Sequence, residues 1–236
     1  MRKKILPQEV LKLIACITML IDHLGVSVVI NLAIPGVVPL YYTCRVIGRI
    51  AFPIYCFLLV EGMRRTRSAG KYILRLSIGA LLSELPFDLL LEGAFNWGYQ
   101  SVMVTLTLGA LMLLCMQKTE KTWLQLILVL PFAILAEVCK CDYGGWGIAM
   151  IAVFALFDQI PLQFVAMLLV CYLMPSGMIP IFGVSVSCEL AALVAVLPIA
   201  QYSGRKLTHN KVIQWGFYLF YPVHLLILWV ILRCMA

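Results

Sequence analysis

Asp22 and His23 are neighbours in the middle of an apolar run that extends from Leu13 to Ile30. The run is long enough to cross a bilayer, which takes about 20 apolar residues. An aspartate at the centre of such a span costs roughly 2.5–3.5 kcal/mol on insertion scales. Ionisable groups persist there when they face a polar cavity and work in it. Histidine titrates nearest physiological pH, so it can take or give a proton. A carboxylate nearby can hold an imidazole in one tautomer and stabilise its cation. The chemistry that suits the pair is removal of a proton from an amine or a hydroxyl. Adjacent helical residues point about 100° apart, so Asp22 need not touch His23, and Arg49 or a residue of another segment is an alternative partner.

Further ionisable groups fall at comparable depth. Counting 1.5 Å per residue places Asp22 and His23 ~18 Å from the inner face, with His224 also at ~18 Å. Arg49 comes ~9 Å below the outer surface, Arg45 one turn nearer to it, Glu84 ~19 Å and Asp88 ~25 Å from the inside. Glu137 and Glu189 fall toward the outer third. Arg45 and Arg49 share a helix face, as do Glu84 and Asp88. The plainest structural reading pairs these two arginines with these two carboxylates. That explains less about Asp22, His23 and His224. Two histidines at one depth, one beside an aspartate, point to chemistry, and arginine is the natural clamp for a phosphate or an oxyanion.

The elements that must hold these residues are membrane spans. The chain is 63% hydrophobic and 12% charged, against about 45–50% and about 25% in soluble domains; its mean hydropathy is +1.01. It reads as all-α, a polytopic transmembrane bundle forming a single domain over 1–236. Nine spans are expected near 10–33, 43–63, 71–92, 101–117, 122–139, 144–158, 161–176, 184–201 and 212–234. The sixth and seventh are short and could form one broken hairpin. Helices are expected because open strands leave backbone groups unsatisfied in lipid, and the alternation of a barrel is absent. With the N-terminus in the cytoplasm, twelve Lys and Arg flank the inner ends (Arg2, Lys3 and Lys4; the run Arg64 to Lys71; Lys118 and Lys121; Arg205, Lys206 and Lys211) and two, Lys140 and Arg233, the outer ends. The positive-inside rule therefore favours a cytoplasmic N-terminus. Arg2-Lys3-Lys4 reads as an inner flank and not as the start of a cleaved leader.

The net charge of +7 is explained by these flanks, so no nucleic-acid partner is expected. Most of the nine cysteines lie in apolar runs as small hydrophobes. Cys139 and Cys141 are too few for a zinc site, and no metal is expected. Gly48 and Pro53 fit a kinked packing helix. Asp142-Tyr143-Gly144-Gly145-Trp146-Gly147 reads as an interfacial turn with belt aromatics. Arg64-Arg65-Thr66-Arg67 is a topology signal that could also attract the phosphates of a cytosolic anion such as coenzyme A. His209 reads as solvated.

Four stretches carry a family resemblance: Leu11-Lys12 with Leu20-Ile21-Asp22-His23; Gly48-Arg49-Ile50-Ala51-Phe52-Pro53-Ile54; Tyr143-Gly144; and Phe217-Tyr218 through Pro222-Val223-His224-Leu225. In order, spacing and hydropathy the chain resembles the TraX family, relatives of the enzyme that acetylates the amino terminus of F-pilin. The stretch Ser83-Glu84-Leu85-Pro86-Phe87-Asp88 also fits many members. The resemblance implies an integral-membrane acetyltransferase of the cell membrane that uses acetyl-CoA, distantly similar to the wider transmembrane acyltransferases. It further implies a donor entering from the basic inner face and an acceptor amine or hydroxyl, on a peptide or an envelope molecule, arriving from the other side or from the bilayer plane.

On this reading His23 is the general base, Asp22 orients or charges the site, and His224 is a second acid/base or positions the acceptor. Arg49 contacts the thioester carbonyl or a phosphate, with Arg45 and Lys12 as further donor-binding cations. Glu84, Asp88, Tyr143 and Tyr218 complete a substrate site. The lipid bilayer is a partner, and homo-oligomerisation is left open. Two rival classes remain: a proton-coupled transporter relaying protons through Asp22, His23, Glu84 and His224, although no inverted repeat is visible, and a non-catalytic subunit of a secretion or conjugation assembly.

Overall fold

The computed structural model of the chain describes residues 4–175, 177–181, 184–208 and 210–235. Arg2 and Lys3, expected at the inner flank, and His209, expected to be solvated, lie outside the described residues. In chain order the elements are α1 (Gln8–Ser27), a 3-10 turn (Val29–Asn31), α2 (Val37–Gly48), α3 (Ala51–Arg65), α4 (Ala69–Leu91), α5 (Val102–Met116), α6 (Thr122–Val138), α7 (Gly144–Leu156) and α8 (Ile160–Leu173). A hairpin of β1 (Met178–Ile181) and β2 (Val184–Ser187) follows, then a 3-10 helix (Cys188–Ala195), α9 (Val196–Ala200) and α10 (Lys211–Met235). Three helical stretches, Gln8–Asn31, Val37–Arg65 and Val212–Met235, are long and apolar enough to cross a membrane, and five shorter helices are apolar. This is an all-α membrane protein with one small hairpin.

The hairpin corrects one expectation. A helix over 184–201 was expected, but 184–187 pairs with 178–181 as an antiparallel ribbon. Val184-Ser185-Val186-Ser187 alternates with period two, the pattern of a strand. The Ser187 hydroxyl then accepts from the Glu189 N–H at 3.2 Å and starts the 3-10 helix. Eight residues is long for 3-10 geometry, and this segment delivers Glu189 to the interior.

The break between α2 and α3 follows from Pro53. Proline offers no N–H to the carbonyl four residues earlier, here that of Arg49, and its ring crowds that carbonyl. The chain stays in the right-handed helical region at Arg49 and Ile50, so the rod bends there without ending. The bend sets Arg49 at a corner that faces inward.

Contacts gather the chain turns at two opposite ends. At one end Leu6 bridges Tyr202, the Gln8 N–H donates to the Arg205 carbonyl at 2.9 Å, Arg65 donates to the Gly204 carbonyl at 2.7 Å and Arg64 pairs with Asp158 at 2.8 Å. At the other end Gln100 bridges Cys141, and Arg233 donates to the Gly93 carbonyl at 3.3 Å. Between the ends a core of buried residues, including Leu11, Ile54, Phe87, Met112, Ile148 and Leu225, joins α1, α3, α4, α5, α7 and α10. Outward apolar side chains such as Leu130 and Val165 are exposed, a surface suited to hydrocarbon and not to water.

Candidate functional site

Asp22 and His23 leave α1 in different directions, as the 100° step requires. Asp22 turns to α2. Its carboxylate accepts from Arg45 Nη1 at 2.8 Å and from Arg49 Nη2 at 3.3 Å. Gly48 makes room for it, because a methyl group there would overlap the Asp22 side chain. Arg49 Nη1 also donates to Glu189 Oε1 at 2.8 Å and to the Tyr143 hydroxyl at 3.1 Å. The Arg49 and Glu189 side chains are only 7% and 3% exposed, so Glu189 depends on Arg49 for compensation, while Arg49 is shared between Glu189 and Asp22. Glu189 Oε2 is buried without a hydrogen-bond partner.

Tyr143 is held in a left-handed conformation, φ 64°, which is strained for a residue with a Cβ. The strain aims the ring onto Phe52, 3.9 Å between centroids, and the hydroxyl onto Arg49. The turn that carries it is braced. Tyr99 donates to Asp142 Oδ1 at 2.9 Å, the Tyr143 N–H donates to the same oxygen at 3.0 Å, and the Thr105 hydroxyl donates to the Asp142 carbonyl. Burial pushes the Asp142 carboxyl above the ordinary carboxylate range, against the pull of Tyr99 and Arg49. The segment is thus more than an interfacial turn, since Tyr143 joins the buried charge cluster.

His23 turns to α10. Its Nδ1 lies 2.7 Å from His224 Nε2, and His224 Nδ1 lies 2.7 Å from the Phe220 carbonyl oxygen. His224 is 4% exposed; it stacks on Phe220, centroids 4.9 Å apart, and meets the His23 ring edge to edge through that nitrogen contact, centroids also 4.9 Å apart. Tyr221 stands 6.0 Å from the His23 ring and 5.7 Å from that of His224.

Behind Tyr221 a cavity of about 280 Å³ runs through the bundle. Met19, one turn before His23, lines it, as do Tyr55, Tyr72 and Tyr218. Toward the end where Leu6 meets Tyr202 its wall carries four cations, Lys12, Arg65, Arg75 and Lys206. Lys12 lies over the Phe217 ring at 5.2 Å. Glu9 accepts from the Leu207 N–H at 2.8 Å and ties the loop before α10 to this rim.

The expected residues therefore divide among neighbouring stations. Asp22, Arg45, Arg49 and Tyr143 form one cluster with Glu189, which the sequence placed at the right depth without a role. His23 and His224 form a pair. Lys12 and Tyr218 line the cavity. Arg45 and Arg49 do not line it; they turn instead to Asp22 and, for Arg49, to Glu189. The pairing of these arginines with Glu84 and Asp88 is corrected as well. Glu84 accepts from the Ser101 hydroxyl and N–H at 2.5 and 3.2 Å, and Asp88 accepts from the Asn96 N–H at 3.0 Å. Both carboxylates secure the turn between α4 and α5. Arg75 and Lys206 were legible only as span or flanking charges, whereas Arg65 belongs to the run read as a topology signal that could also attract phosphates. Cys139 and Cys141 are free thiols, and burial pushes Cys141 up to about 12, which leaves it protonated and inert.

A helical membrane protein with interior ion pairs, a histidine pair and a cation-lined cavity is the class that fold and site define. Comparison with known proteins narrows it. The family model described as TraX protein matches residues 7–232, and the chain belongs to the TraX family. It is 29% identical over 232 residues, 92% of each chain, to a protein of Dichelobacter nodosus named probable fimbrial assembly protein FimC, serogroup H1. No solved structure matches the chain.

Proposed function

We propose that this chain is an integral-membrane acetyltransferase that moves an acetyl group from acetyl-CoA to an amine or hydroxyl acceptor at or across the membrane. The observation that carries the reading is an alignment along α1. Lys12 lines the cationic end of the cavity, and His23 lies eleven residues on, beside the Tyr221 wall. Eleven residues span about 16 Å and return to within about 20° of the same face. An extended phosphopantetheine arm has a comparable reach. With its phosphates among Lys12, Arg65, Arg75 and Lys206, its thioester would reach the Tyr221 wall, behind which the His23 ring lies 6.0 Å away without itself lining the cavity.

The reaction then needs a base and a donor to the developing oxyanion. His23 takes the acceptor's proton as its nitrogen or oxygen attacks the acetyl carbonyl; the C–S bond breaks, and the proton leaves with the thiol of coenzyme A. The Tyr221 hydroxyl, buried without a hydrogen-bond acceptor, is available to the carbonyl oxygen. Asp22, Arg45, Arg49 and Glu189 form the rigid frame behind these groups. The name of the Dichelobacter relative suits a peptide amino terminus of a pilus subunit as acceptor. The cationic end of the bundle suits the cytoplasm, with the N-terminus inside and the remaining segments crossing in turn.

The test is transfer of labelled acetyl from acetyl-CoA to envelope extract by purified protein in nanodiscs. His23→Ala should abolish the product while the protein remains folded and inserted. Full activity in that variant removes His23 from the mechanism. A second reading, a proton-coupled transporter, is favoured by Glu189 Oε2, a buried carboxylate oxygen without a partner that could hold a transported proton. It predicts proton-driven uptake in liposomes and no binding of acetyl-CoA.

A further inference from the structure

A carbonyl oxygen can only accept, so the 2.7 Å contact from His224 Nδ1 to the Phe220 carbonyl fixes a proton on that nitrogen. In a neutral His224 the other nitrogen, Nε2, is then bare and accepts. Its partner at 2.7 Å is His23 Nδ1, which must therefore carry the proton. The neutral pair has one arrangement: His23 Nδ1–H donates to His224 Nε2, and His224 Nδ1–H donates to Phe220 O. The nitrogen left over is His23 Nε2. Among the described residues it has no hydrogen-bond partner, and the His23 ring is only partly buried.

We infer that His224 is a positioning residue that locks His23 in the Nδ1–H tautomer and makes His23 Nε2 the site of proton uptake. The lock is firm because His224 has little freedom to turn. It is 4% exposed and stacked on the Phe220 ring with planes 18° apart. The same chain serves the charged state. When Nε2 gains the acceptor's proton, the imidazolium donates through Nδ1 to His224, and a shift of that proton passes the charge to His224 without disturbing the contact to Phe220. His224 itself then neither meets the acceptor nor exchanges a proton with it. Asp22, occupied by two arginines, has no part in the tautomer. The catalytic role rests on the acetyltransferase reading; the tautomer does not.

Nitrogen-15 NMR of histidine-labelled protein in nanodiscs, at mildly alkaline pH, separates the two. The chain has three histidines, and His→Gln variants made one at a time assign the signals. His23 is expected to show a protonated Nδ1 and a bare Nε2. In His224→Leu that preference should disappear, while His224→Gln, whose amide oxygen can still accept from His23 Nδ1, should keep it. Transfer activity should follow the tautomer: a loss of about 10²–10⁴-fold in the leucine variant and substantial recovery in the glutamine variant. A proton on His23 Nε2 in the native protein overturns the inference, as does an unchanged His23 tautomer in His224→Leu. The assigned tautomer in a protein that transfers no acetyl group would sink the enzyme reading and leave the lock intact.

Discussion

Arg49 and Glu189 lie 140 residues apart in the chain and meet at 2.8 Å, with side chains 7% and 3% exposed. The pair joins the corner between α2 and α3 to the start of the 3-10 helix. Breaking a buried pair by removing one partner strands the other charge and costs roughly 3–5 kcal/mol. Among the described residues Glu189 has Arg49 as its one ion-pair partner, whereas Arg49 also holds Asp22, so it is Arg49→Leu that is expected to lower the melting temperature sharply. Arg49→Leu combined with Glu189→Leu should recover much of that loss, since no unpaired charge remains between those two positions. Additive losses in the double variant, measured by thermal unfolding in detergent, would show that the two side chains do not act as a pair.

Asp142 gives a pH-dependent prediction. Burial raises its pKa in the folded protein, so the ionised form weakens the fold above that pKa, and the penalty fades as pH falls through it. Asp142→Asn keeps an Oδ1 that can accept from Tyr99 and from the Tyr143 N–H but removes the charge. The variant is expected to be at least as stable as the native protein at neutral pH, with the gap closing under acidic conditions. A gap that widens on acidification would mean that the native carboxylate is stabilised by its partners.

Depth was legible in the sequence, but direction around each helix was less so. Counting residues placed Asp22, His23, His224, Arg49, Glu84 and Glu189 in neighbouring layers, and the 100° step between Asp22 and His23 left Arg49 open as a separate partner for Asp22. The count could not say that Glu84 turns toward Ser101 while Glu189 turns toward Arg49. Glu189 was also hidden by its element, because an expected helix over 184–201 gives the wrong path for a strand followed by a 3-10 helix. Pro53 did announce the bend at Arg49. The cavity was the least legible part: the Arg64–Arg67 run suggested phosphates, but Lys206 looks the same in sequence whether it only orients the chain or also lines a pocket.

Gly48 supplies a steric prediction. Its α-carbon faces Asp22 so closely that any Cβ overlaps the aspartate side chain. Gly48→Ala must push α1 and α2 apart or turn Asp22 away from its arginines, and overpacking of this kind costs about 1–3 kcal/mol. Gly36, whose surroundings are open, has a positive φ of 79° and would suffer strain alone. The control is therefore Gly216→Ala, where nothing lies within 4 Å of the added methyl. Thermal unfolding should show a marked loss for Gly48→Ala and little change for Gly216→Ala. Equal melting temperatures would contradict the close packing of Asp22 against α2.

The four cavity cations yield a prediction that separates binding from chemistry. Lys12, Arg65, Arg75 and Lys206 line the same cavity, and none is paired with Asp22 or Glu189. Arg65 is already bound to Glu61 at 2.6 Å, which leaves Lys12, Arg75 and Lys206 with more of their charge to offer. If the chain is the acetyltransferase proposed above, exchanging Lys12 for Gln should raise the KM for acetyl-CoA with a smaller change in kcat, because a phosphate contact far from the thioester would be made equally in the ground and transition states. His23→Gln should do the reverse. Added salt should weaken donor binding in the native protein and weaken it less in Lys12→Gln, where one of the screened contacts is already gone. A lysine variant that loses kcat while keeping its KM would move Lys12 from the donor's phosphates to the reacting end of the cavity.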